Sequence, residues 1–421
     1  MKAEVWTKLK PKVLVVATAR WFTTARLAVA LANAGCTVEG LCPSQHPIGR
    51  TSAVSKIYSY KGLVPAACFA DAIAESKPDI IVPGDDLATW HLHQLYDRER
   101  NHGRAGGLIC TTIERSLGAP DSFSVVHART AFMELAKEEG VRAPRTAVIN
   151  DADDLRRWSA DAGFPVVLKA NDTSGGEGVR VVHTLEQAEQ ALRALQAPPL
   201  LARAAKRALV DRDTALVWPS LLRHRYVVNA QSYVAGREAT SAVACWKGTV
   251  LATLHFEVLK KRFLRGPATV VQRIDNPEMS AAVEKIVRRL NLSGLHGFDF
   301  VLEAETGNAY LLEINPRATQ VTHLTLGAGQ DLPAALRAAV SGEAVQPAPK
   351  VTEKDTITLF PHEWISDPHS PFLRSSYHDV PWEEPELLRA CVDKARKGRT
   401  WFSKSGPDWI KASSAIGLRR L

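Results

Sequence analysis

Residues 295–317 constrain the fold most, because two apolar runs rich in β-forming residues flank a short turn sequence there. Gly307 suits the left-handed position of such a turn, so the stretch predicts a β-hairpin centred on Thr306. In that register Asp299 faces Glu313 across the hairpin. Two facing carboxylates repel each other by roughly 0.2–1 kcal/mol even on an exposed sheet face, and a bound cation would remove that repulsion.

The same register makes two further predictions about side chains. Leu302 is expected opposite Tyr310, and the alternation of side chains along a strand places Asn315 on the face of Glu313. Carboxylate and amide oxygens are ligands that Mg²⁺ takes, with nucleotide phosphates and waters in the remaining positions. From spacing alone, a metal site and a hairpin whose acidic side chains point into water are equally acceptable interpretations.

A second candidate motif is a lysine in an apolar strand that is followed by a glycine-rich loop. Lys169 ends the apolar run of residues 163–169, and a second short strand is expected over residues 179–182. The N–H groups of the intervening loop could fold over phosphates, with Lys169 on the α and β oxygens. The alternative is an ordinary hairpin turn beside a lysine that snorkels to the sheet edge.

The two motifs together resemble the ATP-grasp ligases, a superfamily that includes D-alanine–D-alanine ligase, biotin carboxylase and carbamoyl phosphate synthetase. Gly-Phe-Asp-Phe followed by Leu-Leu-Glu-Ile-Asn-Pro-Arg is similar to the metal-binding end of that superfamily. Phe-Pro-Val-Val-Leu-Lys followed by Ser-Gly-Gly-Glu-Gly-Val is similar to its ATP lysine and phosphate lid. The resemblance covers roughly residues 120–340, and the motifs occur in the expected order.

The resemblance implies a nucleotide site with the backbone around Tyr233 and Val234 on the adenine and Glu238 on the ribose hydroxyls. Arg129 stands where relatives usually carry a phosphate-binding lysine, and a planar guanidinium can serve the same purpose. The implied nucleotide contacts are Arg129, Lys169, Ser174, Gly175, Gly176, Glu177, Gly178, Gln231, Tyr233, Val234, Glu238, Lys260 and Leu312.

The resemblance also implies the metal ligands and the catalytic residues. Asp299, Glu313 and Asn315 would hold one or two Mg²⁺ or Mn²⁺ ions. Arg317 would stabilise an acyl phosphate or an oxyanion, and Lys169 would contribute to catalysis as well as to nucleotide binding. No nucleophile triad is found in the sequence, and this superfamily does not rely on one.

A basic, turn-rich segment covers residues 258–267. It is expected to be either a solvated loop or a second lid that brings positive charge to the γ-phosphate. Lys260, Lys261 and Arg265 are all candidates for that contact, and the sequence does not choose among them.

The order of predicted elements indicates an α/β protein with three parts. Strand, helix, strand, helix and strand over residues 13–82 favour a doubly wound parallel sheet, so residues 1–120 are expected to form a Rossmann-like N-terminal domain. Residues 121–345 would be the ATP-grasp domain, in which two α+β subdomains clamp ATP. Residues 346–421 would be a C-terminal extension, an aromatic and proline-rich arm followed by a helix, with no assigned role.

Two details of the N-terminal part bear on ligand binding. The turn after the first strand, residues 18–24, contains no glycine and is therefore not a dinucleotide fingerprint. Asp85 and Asp86 follow the third strand at the end where such sheets place ligands. They are expected either to touch substrate or to cap the next helix. Further along, residues 122–140 predict one helix.

Charge and composition exclude several classes of function. The formal net charge is +8, which suits a cleft for phosphates and an anionic substrate, but no nucleic-acid recognition motif accompanies it. No stretch approaches the roughly 20 apolar residues that span a bilayer. Six scattered cysteines without a CxxC pair indicate reduced thiols and a cytoplasmic protein. Neither a nucleic-acid nor a membrane partner is expected.

The expected function is that of an ATP- and Mg²⁺-dependent ligase. A carboxylate would be activated as an acyl phosphate and then attacked by an amine, so the partners are small-molecule carboxylate and amine substrates. A carboxylating enzyme, a phosphotransferase acting on a hydroxyl and a non-catalytic nucleotide-binding protein are the alternatives. Many members of the superfamily are dimers, which leaves a homodimer open.

Overall fold

A computed structural model describes residues 10–400 apart from 172–177, 203, 206–215, 224, 264–265 and 345–348, with only the backbone described for 394–400. Three sheets organise these residues: a four-stranded parallel sheet, a four-stranded antiparallel sheet and a seven-stranded mixed sheet. None of the described helices is both long and apolar enough to cross a membrane.

The first sheet is parallel throughout, with the order β3-β2-β1-β4, and helices cover both of its faces. Its elements are β1 (Lys12–Val16), α1 (Phe22–Asn33), β2 (Thr37–Cys42), β3 (Val54–Ser59), α2 (Pro65–Ser76), β4 (Ile80–Pro83), α3 (Asp86–Asn101) and α4 (Leu108–Leu117). One face packs on α1 and the other on α2, α3 and α4. The predicted parallel sheet is confirmed. The edge strand β3 was not predicted, because polar residues interrupt it.

The second sheet is antiparallel, with the order β5-β8-β6-β7. The elements of this region are α5 (Phe123–His127), α6 (Arg129–Glu138), β5 (Thr146–Ile149), α7 (Ala152–Ala162), β6 (Val166–Ala170), β7 (Val179–Val182), α8 (Leu185–Gln196), α9 (Val217–Leu221) and β8 (Val228–Ser232). Leu168 and its apolar neighbours pack on α7 and α8. Strand alternation therefore turns Lys169 to the opposite face, where the register pairs it with Asn229.

The third sheet has the order β13-β12-β9-β10-β11-β14-β15. Its strands and helices up to residue 341 are β9 (Gly236–Trp246), β10 (Thr249–Lys261), β11 (Ala268–Arg273), α10 (Pro277–Arg289), β12 (Gly294–Glu303), β13 (Ala309–Asn315) and α11 (Leu332–Ser341). Phe298 and Phe300 face α6 and α10, whereas Leu295 faces the N-terminal sheet and α11. Asp299, between the two phenylalanines, therefore points to the side of the N-terminal unit.

The predicted hairpin is confirmed at its functional end and wrong by one residue near its turn. Asp299 pairs with Glu313 as expected, but Tyr310 pairs with Val301 instead of Leu302. A β-bulge between Asp299 and Phe300 absorbs the difference, because one extra residue of β13, Leu312, has no partner on β12. The turn itself is one residue longer than a three-residue turn allows.

Two other predicted elements differ from the structure. The single helix expected over residues 122–140 is two helices, α5 and α6, because the backbone of Ala128 leaves the helical region (φ −92, ψ 93). The segment 258–267 is not loop throughout, since β10 extends to Lys261 and pairs with β9 and β11. Cross-strand pairing outweighs the basic composition that suggested a loop.

The C-terminal extension is built into the large sheet. Its elements are β14 (Thr356–Thr358), α12 (His362–Ser366), α13 (Phe372–Ser375), β15 (Tyr377–His378) and α14 (Pro385–Thr400). Strand β14 pairs with β11, and Asp379 forms an ion pair with Arg26 of α1. The rings of Phe360 and Phe22 pack edge to face, with centroids 5.4 Å apart. The described part of the extension thus joins the N-terminal unit to the large sheet.

Candidate nucleotide and metal site

Two carboxylates face each other in the β12–β13 hairpin. Asp299 pairs with Glu313, and the bulge turns Leu312 to the same face as Glu313. Asn315 donates its Nδ2 to Asp299 Oδ2 at 2.9 Å, and the hydroxyl of Thr240 on β9 donates to Asp299 Oδ1 at 2.9 Å. The structure therefore brings the three predicted metal ligands together on one face. No sequence motif indicated Thr240.

The pKa values of the two carboxyl groups are driven apart. Burial, and after it the negative charge of Glu313, raises the pKa of Asp299 to about 6. Burial acts in the same direction on Glu313, but the positive charges of Arg129 and Lys169 outweigh it and lower the pKa of Glu313. A divalent cation between the two groups would remove this opposition, which is the electrostatic signature of a cation site.

Arg129 reaches this pair from the first turn of α6. Its Nη2 lies 2.8 Å from Glu313 Oε2, and its side chain is 16% exposed. The break at Ala128 lets α6 begin at Arg129, so the guanidinium projects from the helix start toward the hairpin. The arginine that stands in the place of the usual lysine is thus correctly placed to bind an anion beside the carboxylates.

Lys169 is a buried cation of the cluster. Its side chain is buried, and no hydrogen-bond partner for its ammonium lies within the described ranges. Burial lowers the pKa of Lys169 to about 8, although Glu313 and Asp299 nearby partly offset the effect. A buried ammonium without a partner is costly, so its presence here favours an anionic ligand that arrives from outside the chain.

Arg317 lies beside the carboxylates and is held from several sides. Its Nη2 donates to Asn315 Oδ1 at 3.1 Å, and its Nη1 donates to the carbonyl of Ala318 at 3.2 Å. Its Nε lies 3.0 Å from Asp86 Oδ1, and its Cζ lies 5.1 Å from the ring centroid of Trp21. The last two contacts come from the N-terminal unit, so the cleft is formed between that unit and the hairpin.

From sequence, Asp85 and Asp86 could each contact substrate or cap a helix, and the structure distinguishes the two residues. Asp85 is buried and caps α3, because its carboxylate accepts from Ala88 N at 2.8 Å and from Thr18 N at 2.6 Å. Asp86 instead faces Arg317 and keeps 38% of its side chain exposed. Asp85 is therefore a structural cap, and only Asp86 lines the cleft.

The implied adenine side of the site is partly formed. Glu238 pairs with Lys261 at 2.6 Å, and its charge also acts on Lys169. Tyr233 is exposed between β8 and β9, beside the half-buried Val234. Gln231 is buried and donates to the Thr146 hydroxyl at 3.1 Å, so it supports the strand.

Lys260 does not join the cluster. Its ammonium lies 2.6 Å from Glu363 and 3.1 Å from Asp367, both in the C-terminal extension. Lys261, the neighbouring candidate, points instead to Glu238. The candidates Ser174, Gly175, Gly176, Glu177 and Arg265 lie outside the described residues. Gly178 is described, and its carbonyl accepts from Ala170 N at 2.9 Å.

The residues fit the two groups that the resemblance implies. Asp299, Glu313 and Asn315 supply carboxylate and amide oxygens, which is a hard-cation donor set. Lys169 and Arg129 supply positive charge beside them, and Lys169 has no protein partner within the described chain. A nucleoside triphosphate with a divalent cation would satisfy both requirements at once.

Comparison with known proteins agrees with this geometry. The family model described as "Carbamoyl-phosphate synthase L chain, ATP binding domain" matches residues 128–332, a range that begins just before Arg129 and includes the whole cluster except Asp86 and Trp21. Over these residues the chain is similar to that ATP-binding domain, which supports the predicted resemblance to the ATP-grasp superfamily.

Curated relatives match over a limited region. The arginine-specific large chain of carbamoyl phosphate synthase from Geobacillus stearothermophilus is 24% identical over 207 residues, which are 48% of this chain and 17% of that protein. The large chain from Brucella melitensis is 21% identical over 264 residues, 61% of this chain and 22% of that protein. The chain therefore spans about a fifth of the length of these relatives.

Solved structures share the ATP-grasp fold. The biotin carboxylase domain of Hydrogenobacter thermophilus 2-oxoglutarate carboxylase, in complex with MgADP, ADP and bicarbonate, gives a TM-score of 0.56 at 18% identity, over 80% of this chain and 71% of that one. Staphylococcus aureus N5-carboxyaminoimidazole synthetase complexed with ADP gives 0.55 at 15% identity, over 82% and 81%. These likenesses extend beyond residues 128–332 to most of the chain.

The lowered pKa of Lys169 predicts how nucleotide binding depends on pH. Lys169 is protonated below about 8 and neutral above it, so its attraction for phosphate is lost as pH rises through that value. We expect the dissociation constant of a Mg²⁺-bound, non-hydrolysable ATP analogue to rise by several-fold between pH 7.5 and 9.5, in titration calorimetry. Lys169→Arg keeps its charge over this range and should bind with little dependence on pH. The same loss of affinity in both proteins would contradict the assignment.

Proposed function

We propose that this protein is an ATP- and Mg²⁺-dependent ligase that activates a carboxylate as an acyl phosphate for attack by an amine. The observation that carries the proposal is the facing pair of Asp299 and Glu313 in one cleft with two cations, Arg129 and the buried Lys169. The match of residues 128–332 to an ATP-binding domain supports it.

The proposed roles follow from position. When bound, ATP supplies the phosphoryl group and the divalent cation neutralises its oxygens. Asp299, Glu313 and Asn315 hold the cation, while Lys169 and Arg129 hold the phosphates. Arg317, fixed beside Asn315, stabilises the negative charge that develops on the acyl group. Because Asp299, Arg129 and Arg317 are held by hydrogen bonds to other residues, they need little reorganisation when charge moves.

The nucleotide base and sugar would occupy the adjoining groove. We assign the adenine edge to the backbone around Tyr233 and Val234, the ribose to Glu238, and the wall next to the metal to Leu312. Gln231 supports this groove through Thr146. The resemblance assigns phosphate binding to residues 174–178, of which 174–177 lie outside the described residues. In this arrangement residues 1–120 supply the substrate side of the cleft, residues 121–345 the nucleotide side, and residues 346–421 a brace between them.

A carboxylating reaction is the second candidate, favoured by the structural neighbours. One of them is a biotin carboxylase domain solved with bicarbonate, and another is an N5-carboxyaminoimidazole synthetase. Bicarbonate would then be the carboxylate component, and Arg317 would serve the same purpose. The two candidates differ only in the acid that accepts the phosphoryl group.

The test is ADP release by the full chain with Mg²⁺-ATP, screened over bicarbonate, pools of small carboxylic acids and pools of amines. A ligase should release ADP in dependence on one acid, and hydroxylamine should trap that acid as a hydroxamate. Bicarbonate-dependent ADP release without a hydroxamate from an organic acid would favour carboxylation. ADP release that depends on a hydroxyl compound and traps no hydroxamate would instead identify a phosphotransferase. Mg²⁺-ATP binding without turnover over all pools would support a binding protein.

A further inference from the structure

We propose that Asp86, together with Arg317 and Trp21, forms a recognition site for an α-amino acid, whose carboxylate is the group activated. This inference rests on the proposed function and names its substrate class. It begins with the position of Asp86, the first residue of α3, at the carboxyl end of β4 and across the cleft from the metal hairpin.

Arg317 is positioned by the N-terminal unit rather than by its own strand alone. The carbonyl of Pro316 accepts from the Thr89 hydroxyl at 2.8 Å, and the N–H of Ala318 donates to the carbonyl of Pro83 at 3.1 Å. The two backbone groups that flank Arg317 are therefore anchored to β4 and α3. Asp86 lies between these anchors and attracts the guanidinium by its charge, with Oδ1 3.0 Å from Nε.

This arrangement leaves a defined part of Arg317 for a ligand. A guanidinium has five N–H groups, and two of them donate to Asn315 and Ala318. The Nε lies 3.0 Å from Asp86 Oδ1 but is buried and donates no hydrogen bond there, so one N–H on Nη1 and one on Nη2 are left for a ligand. The indole of Trp21 covers one face of the guanidinium plane. A ligand must therefore approach along the remaining edge, and a planar carboxylate matches the geometry of that edge.

Asp86 offers the complementary charge next to this edge. One of its oxygens faces Arg317, and the other has no hydrogen-bond partner within the residues that the structure describes. With 38% of the side chain exposed, that oxygen is open to a small molecule in the cleft. A cationic edge and an anionic oxygen side by side match a carboxylate and an ammonium on adjacent atoms, as in an α-amino acid.

The location also decides which group of the amino acid reacts. Arg317 is joined through Asn315 to the carboxylate pair proposed to hold the cation, so the carboxylate on Arg317 lies next to the phosphates. The ammonium on Asp86 lies on the side of the N-terminal unit. Its protonated nitrogen has no lone pair for attack, so the bound amino acid is the acyl donor. A second molecule supplies the attacking amine.

The experiment measures ligand binding rather than turnover. Thermal unfolding of the full chain is followed with Mg²⁺ and a non-hydrolysable ATP analogue, alone and with each common α-amino acid in both enantiomers. Each amino acid is compared with the acid that lacks its amino group. We expect at least one amino acid to raise the midpoint above that of the nucleotide complex, and its deaminated counterpart to have a much smaller effect.

Variants separate recognition from positioning. Asp86→Asn keeps an oxygen for Arg317 Nε but loses the charge, so the dissociation constant of the amino acid should rise by at least tenfold and that of the deaminated acid should change little. Asp97→Asn, an exposed position on the same helix, is the matched control and should bind like the wild type. If Asp86→Asn weakens the binding of the amino acid and of the deaminated acid equally, Asp86 only positions Arg317 and does not recognise the ammonium group.

Two other results would overturn the inference, and one concerns the proposed function. If the acid without an amino group binds as tightly as the corresponding amino acid, Asp86 does not bind an ammonium group. If the nucleotide complex forms but no amino acid shifts its midpoint, the substrate class is wrong while nucleotide binding stands. If the Mg²⁺-bound nucleotide itself produces no shift, the proposed function fails, and the inference that rests on it fails too.

Discussion

Glu313→Gln combined with Asn315→Ala should abolish the Mg²⁺-dependent part of nucleotide binding while the chain remains folded. The two changes remove one carboxylate and one amide oxygen from the proposed donor set, and a hard cation has few other protein oxygens within reach. Loss of such ligands is expected to weaken Mg²⁺-ATP binding by roughly 100-fold or more. Titration calorimetry with the ATP analogue, with and without Mg²⁺, measures the effect.

The structure predicts that the fold survives these changes. Glu313 faces the cleft with 32% of its side chain exposed, and its removal relieves repulsion with Asp299. Arg129 loses its partner but retains access to water and to Asn171. Glu305→Gln, an exposed change of the same charge in the same hairpin, is the control and should bind Mg²⁺-ATP normally. Wild-type binding by the double variant would make the hairpin purely structural.

The chemistry of this cleft was visible in the sequence because its main parts are local. Asp299 and Glu313 are joined by a short turn, so counting outward from Thr306 found the pair. The count was wrong near the turn, where Tyr310 meets Val301, and the bulge restored it. The residues at this position do not predict a bulge. The correct pairing of Asp299 with Glu313 therefore depended on a register shift that the rules for hairpins do not predict.

The contacts missed by the sequence join distant segments. Asp86 and Arg317 follow strands of two different sheets, and nothing near either residue indicates the other. Lys260 meets Glu363, 103 residues further along the chain, which diverts a candidate phosphate ligand into a structural ion pair. A motif fixes which residue types are present. Which opposite charge reaches each of them is decided by how the sheets pack.

The C-terminal extension is a second case in which contacts between distant segments decide the structure. Strand β14 has only three residues, too few to display an alternating pattern, yet it pairs with β11 and carries β15 beside it. Its strand state comes from the open edge of β11. The ion pair of Asp379 with Arg26, together with the hydrogen bond from His323 to Asp379, ties the extension to both sides of the cleft.

Asp299→Asn should stabilise the ligand-free protein while it removes the activity. The pKa of Asp299 is raised from 3.8 to about 6, so its charge opposes folding above about pH 6. Neutralising it is expected to increase the free energy of unfolding at pH 7.5 by roughly 1–3 kcal/mol. The gain should shrink as pH falls from 6 toward 4 and disappear below the unfolded pKa of 3.8, where the wild-type carboxyl group is protonated in both states.

The hydrogen bonds around Asp299 tolerate this substitution. An asparagine oxygen can accept from Asn315 Nδ2, as Asp299 Oδ2 does now. The new amide nitrogen can donate to the Thr240 hydroxyl, which then donates to the carbonyl of Phe298, already within 3.4 Å. The oxygen and the nitrogen of the new amide thus each have a partner. The free energy gained by removing the charge is therefore not cancelled by the loss of a hydrogen bond.

Ligand reduces the difference in stability between the two proteins. At a Mg²⁺-ATP concentration about 100 times the dissociation constant, the wild type gains about 2.7 kcal/mol. The variant, with a weakened cation site, gains little, so ligand should remove most or all of the variant's advantage over the wild type. Urea unfolding at pH 7.5 and 5 measures the stability of both proteins with and without Mg²⁺-ATP.

Two outcomes would contradict the prediction. A ligand-free variant that is less stable than the wild type would mean that Asp299 stabilises the fold. A variant that Mg²⁺-ATP stabilises as much as it does the wild type would mean that Asp299 is not part of the cation site. The conflict between the two carboxylates is therefore expected to cost the empty protein stability that only the bound cation restores.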